Sequence, residues 1–180
     1  MCEKELTEKE KELLELARSL IGEMTPEDRV KFLAKQWALL FGGFVKMLKE
    51  KYGEEGIKLA CEVMRFLGRK YAEEKVKELN ITPGKADVLD FYKIEGGWDP
   101  SMEYKFKLLE LNKKKFHIYY TACPLVDIWK SIGAPEEICQ IYAYFDVGVA
   151  EVLNPKMKVS NPTSLYKGDD HCDFIVELED

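Results

Sequence analysis

The sequence predicts an α+β domain in which N-terminal helices pack on an antiparallel sheet. Apolar residues recur at helical spacing through residues 5–79, and a period of two replaces that spacing after residue 100. Turn residues then separate the alternating runs closely enough for hairpins. The 180 residues suffice for one well-filled core and form one domain, with a helical half over 1–80 and a mixed strand and helix half over 81–180. No internal repeat or Pro/Gly-rich linker divides them.

Residues 5–21 place Leu6, Leu13, Leu14, Ala17, Leu20 and Ile21 near one helix face and fill the rest with Glu and Lys. Thr25, Pro26, Glu27 and Asp28 read as an N-cap, a first-turn proline and two acids suited to the positive helix end. That second helix runs to Gly53, and its wide stripe of Val30, Leu33, Trp37, Leu40, Phe41, Phe44, Leu48 and Tyr52 predicts the main core helix. A third helix over 54–79 carries Ala60, Gly68 and Ala72, small enough to admit another helix closely. A short helix over 85–95 precedes a turn at Gly96 and Gly97. Tyr104, Phe106 and Leu108 then alternate with lysines, Asn112 to Lys114 form a turn, and 116–121 give a second strand. In that strand Phe116, Ile118 and Tyr120 face one way, and His117, Tyr119 and Thr121 the other. Helices over 124–132 and 135–153 and strands over 157–160 and 171–178 complete the chain.

Lys and Arg number 27 against 33 Asp and Glu, a net charge of −6, which argues against nucleic acid or anionic lipid as a partner. No apolar stretch is long enough to cross a bilayer, and the Glu/Lys-rich start lacks a secretory segment, so a cytoplasmic location is expected. The five cysteines include no CxxC pair and read as free thiols. Only Arg18, Arg29, Arg65 and Arg69 are arginine, and the Lys/Glu excess resembles the bias of hyperthermophiles.

Cys123 precedes Pro124 at a strand-to-helix junction, an N-cap position where free amides and the helix dipole lower a thiol pKa; the alternative is a cysteine that merely packs. Cys139 and Asp146 lie two turns apart on one helix face. Asp146 sits among Tyr144, Phe145, Val147 and Val149, where a half-buried carboxyl has a raised pKa and serves as an acid or base, unless it points to solvent. Cys172 faces inward by strand parity. His117, near Cys123 in sequence, is either its dyad partner or a structural histidine. Cys61, Cys123, Cys139, Cys172 and His117 could together bind zinc or an iron-sulfur cluster, but metal sites usually draw two ligands from one tight turn and the chain has no such pair, so no cofactor is predicted and metal stays the lesser alternative. Dinucleotide, Walker, HExxH and GxSxG signatures are missing.

Cys123-Pro124, Gly133, Cys139, Asp146, Asn154-Pro155, Gly168-Asp169-Asp170 and Cys172-Asp173-Phe174 together resemble the C-terminal pattern of the L-2-amino-thiazoline-4-carboxylic acid hydrolase family. Tyr52-Gly53-Glu54-Glu55, Gly68 and Ala72 resemble its helical half, so the similarity spans residues 25–178. The ending also looks like four-vinyl reductase type small-molecule-binding domains. The resemblance implies a hydrolase that opens a cyclic amidine to a carbamoyl-cysteine product. It assigns Asp146 to proton transfer, Cys123 to nucleophile or polar contact and His117 to orientation or acid catalysis, with Cys139, Cys172, Tyr142 and Trp37 in the ligand pocket. Arg65 or Arg69, a lysine or the helix start at Pro124 would hold a substrate carboxylate. The rival readings are a non-catalytic ligand sensor and a cysteine-ligated metal or redox protein. The expected partners are a small molecule and, in a homo-oligomer, a second copy of the chain.

Overall fold

The computed structural model describes residues 7–22, 24–96 and 103–179; Cys2, Leu6, Gly97 and Pro100 lie outside them. Helix α1 (Glu8–Ile21) opens with a capping box between Thr7 and Glu10. Thr25 and Asp28 close the same reciprocal pair at the start of α2 (Pro26–Tyr52), with proline in its first turn. Next come α3 (Glu54–Glu78) and the short α4 (Val88–Glu95), capped by the Asp87 side chain. A hairpin pairs β1 (Lys105–Leu111) with β2 (Lys115–Ala122). Asn112 forms its turn by accepting from the amides of Lys114 at 2.8 Å and Lys115 at 3.0 Å. Helices α5 (Pro124–Ser131) and α6 (Ile138–Leu153) precede strands β3 (Met157–Ser160) and β4 (Cys172–Leu178).

The four strands form an antiparallel sheet in the order β1-β2-β4-β3. Phe116 pairs with Val176 and Ile118 with Phe174, so the apolar rows of β2 and β4 share the inner face that the parity predicts. One core cluster lies on that face, beneath α3, α4 and the end of α6. A second joins α2, α3, α5 and the start of α6, and Phe145 and Tyr104 pack against both.

Phe41 and Leu48 of the expected α2 stripe pack half-buried against the second core cluster, but the structure corrects the rest of that face. Ala38, Gly42 and Val45 are buried, while Leu33, Trp37, Leu40, Phe44 and Tyr52 are exposed. Small residues win this face because the α5 indole needs the space. Trp129 is fully buried and donates Nε1–H to the Ala38 carbonyl at 3.1 Å, and a Cβ on Gly42 would stand 2.8 Å from its ring.

Helices α3 and α6 approach backbone to backbone. A Cβ on Gly68 would lie 2.0 Å from the Phe145 carbonyl oxygen, and one on Gly148 would lie 2.2 Å from that of Arg65. On the outside of the same pair Glu151 takes Arg65 in two contacts, with Arg69 3.8 Å away. Gly68→Ala and Gly148→Ala are each expected to cost about 1–3 kcal/mol or more, because backbone cannot give way as a side chain can. Gly43→Ala, with nothing within 4 Å of its new Cβ, should gain about 0.5–1 kcal/mol. Urea unfolding of the three variants measures both signs.

Candidate active site

A cavity of about 330 Å³ opens between the inner sheet face, the start of α5, the middle of α6 and the end of α4. That volume suits a ligand of one or two rings. Cys123, Cys139 and Cys172 line it together with Asp146 and Glu95. Tyr104, Phe116, Tyr120, Trp129, Tyr142 and Phe174 form most of its wall. Tyr142 belongs to an aromatic cluster in which its ring lies 5.3 Å from Trp37, 6.1 Å from Phe41 and 6.0 Å from Trp129. Trp37 itself does not line the cavity; it stacks on Phe41 at 5.2 Å and backs Tyr142 from outside.

Desolvation dominates the electrostatics. The Asp146 carboxyl is deeply buried, and its residue lines the cavity. Burial pushes its pKa well above its ordinary value, and the charge of Glu95 adds to that shift. Burial likewise pushes Glu95 up to about 7. The hydroxyls of Tyr104, Tyr120 and Tyr142 are all pushed up by the same cause.

Cys123 does sit at the N-cap of α5, but its thiol pKa is raised to about 11 instead of lowered. The amides of Val126 and Leu125 favour the thiolate without forming a cap hydrogen bond, and loss of water outweighs them. Burial lifts Cys139 to about 12 against the Ser164 hydroxyl, which favours the thiolate. Cys172 is raised too, although its Sγ accepts from the Leu165 amide at 3.0 Å. At neutral pH all three sulfurs are neutral thiols. Among the described residues, no group of three or more His, Cys, Asp and Glu is arranged to hold a metal ion.

His117 lies on the outer face of the sheet, away from Cys123. Its Nε2 is 2.7 Å from Asp173 Oδ1, and His171 Nε2 is 3.1 Å from Oδ2. Thr163 and Asp173 bond reciprocally, Oγ1 to Oδ2 at 3.2 Å and amide to Oγ1 at 2.8 Å. The hydrogen bond from His117, followed by those of Thr163 and His171, holds the Asp173 carboxyl below its ordinary pKa. This cluster ties the segment between β3 and β4 to the sheet. Asn161 of that segment reaches the cavity wall, and Tyr166 bonds the Ala134 carbonyl. Arg65 and Arg69 turn outward to Glu151, so neither lines the cavity as a carboxylate clamp. Sequence reasoning missed Glu95. Its signal was Phe91, one helical turn before it, which marks the same face as buried.

Helices closed over one face of an antiparallel sheet, with an aromatic and acidic hollow between them, define an α+β domain with a cavity of small-molecule size. The model of the L-2-amino-thiazoline-4-carboxylic acid hydrolase family matches residues 34–176, and the chain belongs to this family. No curated protein matches it in sequence. Among solved structures, the chain is similar to the phenol-responsive sensory domain of the transcription activator PoxR with phenol. The TM-score is 0.55 and the identity 15%, over 78% of this chain and 74% of that one. It is also similar to trafficking protein particle complex subunit 3 from Naegleria fowleri covalently bound to palmitic acid. Here the TM-score is 0.50 and the identity 15%, over 83% of this chain and 97% of that one. At such identities the likeness is one of fold. Among the described residues no helix is long and apolar enough to cross a membrane.

The Glu95 shift has a defined consequence for stability. Its carboxyl titrates near 4.5 ordinarily and near 7 in the fold, so between those values the unfolded chain releases a proton that the folded chain keeps. Folding therefore loses stability as pH rises through that window and loses no more above it. Glu95→Gln cannot ionise, and its urea midpoint is expected to draw ahead of the wild type between pH 4.5 and 7 and then hold a constant lead.

Proposed function

We propose that the chain is a hydrolase that opens a small cyclic amidine of the thiazoline type, with Glu95 and Asp146 as its proton-transfer pair. The observation that carries this reading is the placement of two carboxyls with unequal environments in one apolar cavity. Such a pair divides acid and base work. Glu95, titrating near neutrality, takes a proton from the attacking water; Asp146, held neutral by burial, gives one to the departing ring sulfur. Water adds to the carbon between nitrogen and sulfur; as the carbon–sulfur bond breaks and the carbonyl forms, the hydroxyl proton left on that carbon passes to Asp146, and the proton on Glu95 goes to the imine nitrogen or, where that nitrogen is already protonated, to solvent, so that one ring-opened product carries a urea-type carbonyl and a thiol. The Cys123 thiol is a neutral polar contact in this scheme, since a pKa of about 11 leaves little thiolate at pH 7. His117, across the sheet, takes no part.

Turnover of 2-aminothiazoline, with and without its 4-carboxylate, can be followed by release of free thiol. Asp146→Asn is expected to lower kcat about 10²-fold or more. The wild-type kcat/KM should rise with pH through about 7 as Glu95 ionises. Ligand binding without turnover by the intact chain would instead support the non-catalytic sensor.

A further inference from the structure

We infer that the cavity takes its ligand as a small planar cation, held by the Glu95–Asp146 pair and walled by aromatic rings. The inference rests on reading this cavity as the reaction site, and it adds the charge class of what enters. Two acidic side chains line the hollow, and no Lys, Arg or His does among the described residues. The arginines of α3 are engaged with Glu151 outside. A substrate carboxylate would thus meet two acids and no counter-charge.

Asp146 adds a second, independent observation. Its side chain lines the cavity, deeply buried; the carboxyl accepts a hydrogen bond from its own backbone amide, and among the described residues it forms no ion pair and no hydrogen bond to another side chain. Buried carboxyls normally have such partners, and a partner brought by the ligand would supply the missing donors. An amidinium offers a planar set of N–H groups that fits a carboxylate, and its charge suits the faces of Tyr142 and Trp129. Burial favours the protonated form of Asp146 and raises Glu95 to about 7 in the free protein. As the cation enters, Glu95 gives up to solvent whatever share of its proton it still holds, and the pair retains the other proton. The occupied pair then carries one charge and one proton, the state in which one member accepts a proton and the other donates.

Calorimetric titration of the full chain at pH 7 with benzamidine, benzamide and benzoate tests the charge class on three probes of nearly one shape. Benzamidine is expected to bind at least tenfold more tightly than benzamide, and benzoate more weakly than either. In the double variant Glu95→Gln/Asp146→Asn, whose folding is checked by circular dichroism, benzamidine should fall to the level of benzamide, with benzamide within about twofold of its wild-type affinity. Each single variant should give an intermediate loss. Benzoate binding as tightly as benzamidine, an unchanged benzamidine affinity in the folded double variant, or no benzamidine binding by the wild type would each overturn the inference. Because the readout is binding, failure to open a thiazoline leaves it standing, whereas thiazoline turnover with benzoate preferred would remove it and keep the hydrolase.

Discussion

The close approach of α3 and α6 sets the position of every group that matters in the cavity. Gly68 receives the Phe145 backbone and Gly148 receives that of Arg65, so α6 is gripped on both sides of Asp146. A helix pinned at two points less than one turn apart has little freedom to rotate. Asp146 is therefore turned into the hollow, with Tyr142 one turn earlier and Cys139 a further turn away on the same wall. The glycines serve chemistry indirectly, by fixing the helix that carries it.

With orientation imposed by packing, desolvation does the rest. Two carboxyls, three thiols and three phenols share a small apolar space, and in each the charged form is disfavoured mainly by loss of water. Neutral thiols are poor nucleophiles. A buried carboxylic acid, by contrast, gains usefulness from the same environment, because its proton becomes available near neutral pH. The balance moves the centre of the chemistry from sulfur to oxygen. The outer sheet face shows the opposite balance, where hydrogen bonds from His117, Thr163 and His171 keep Asp173 ionised.

Local signals in the sequence served well where local physics decides. The Thr25 to Asp28 cap, the Asn112 turn and the parity of β2 and β4 all match the structure, and the two-turn spacing of Cys139 and Asp146 places both in one hollow. Tertiary choices were less legible. The aromatic stripe of α2 marks a face that could be buried, but only the space demanded by Trp129 selects the Ala38, Gly42 and Val45 face. The N-cap at Cys123 is visible from Pro124, whereas the loss of water that overrides it depends on distant segments meeting around the sulfur. Parity already put His117 opposite Tyr120, and nearness in sequence to Cys123 could not undo that separation.

The central claim is that the Asp146 carboxyl is uncharged in the folded protein at neutral pH. Infrared difference spectra of wild type against Asp146→Asn at pH 7 observe this directly through the carbonyl stretch of a protonated carboxyl. The account predicts such a band in the wild type and its loss in the variant, and a difference spectrum showing only carboxylate bands for Asp146 would contradict it.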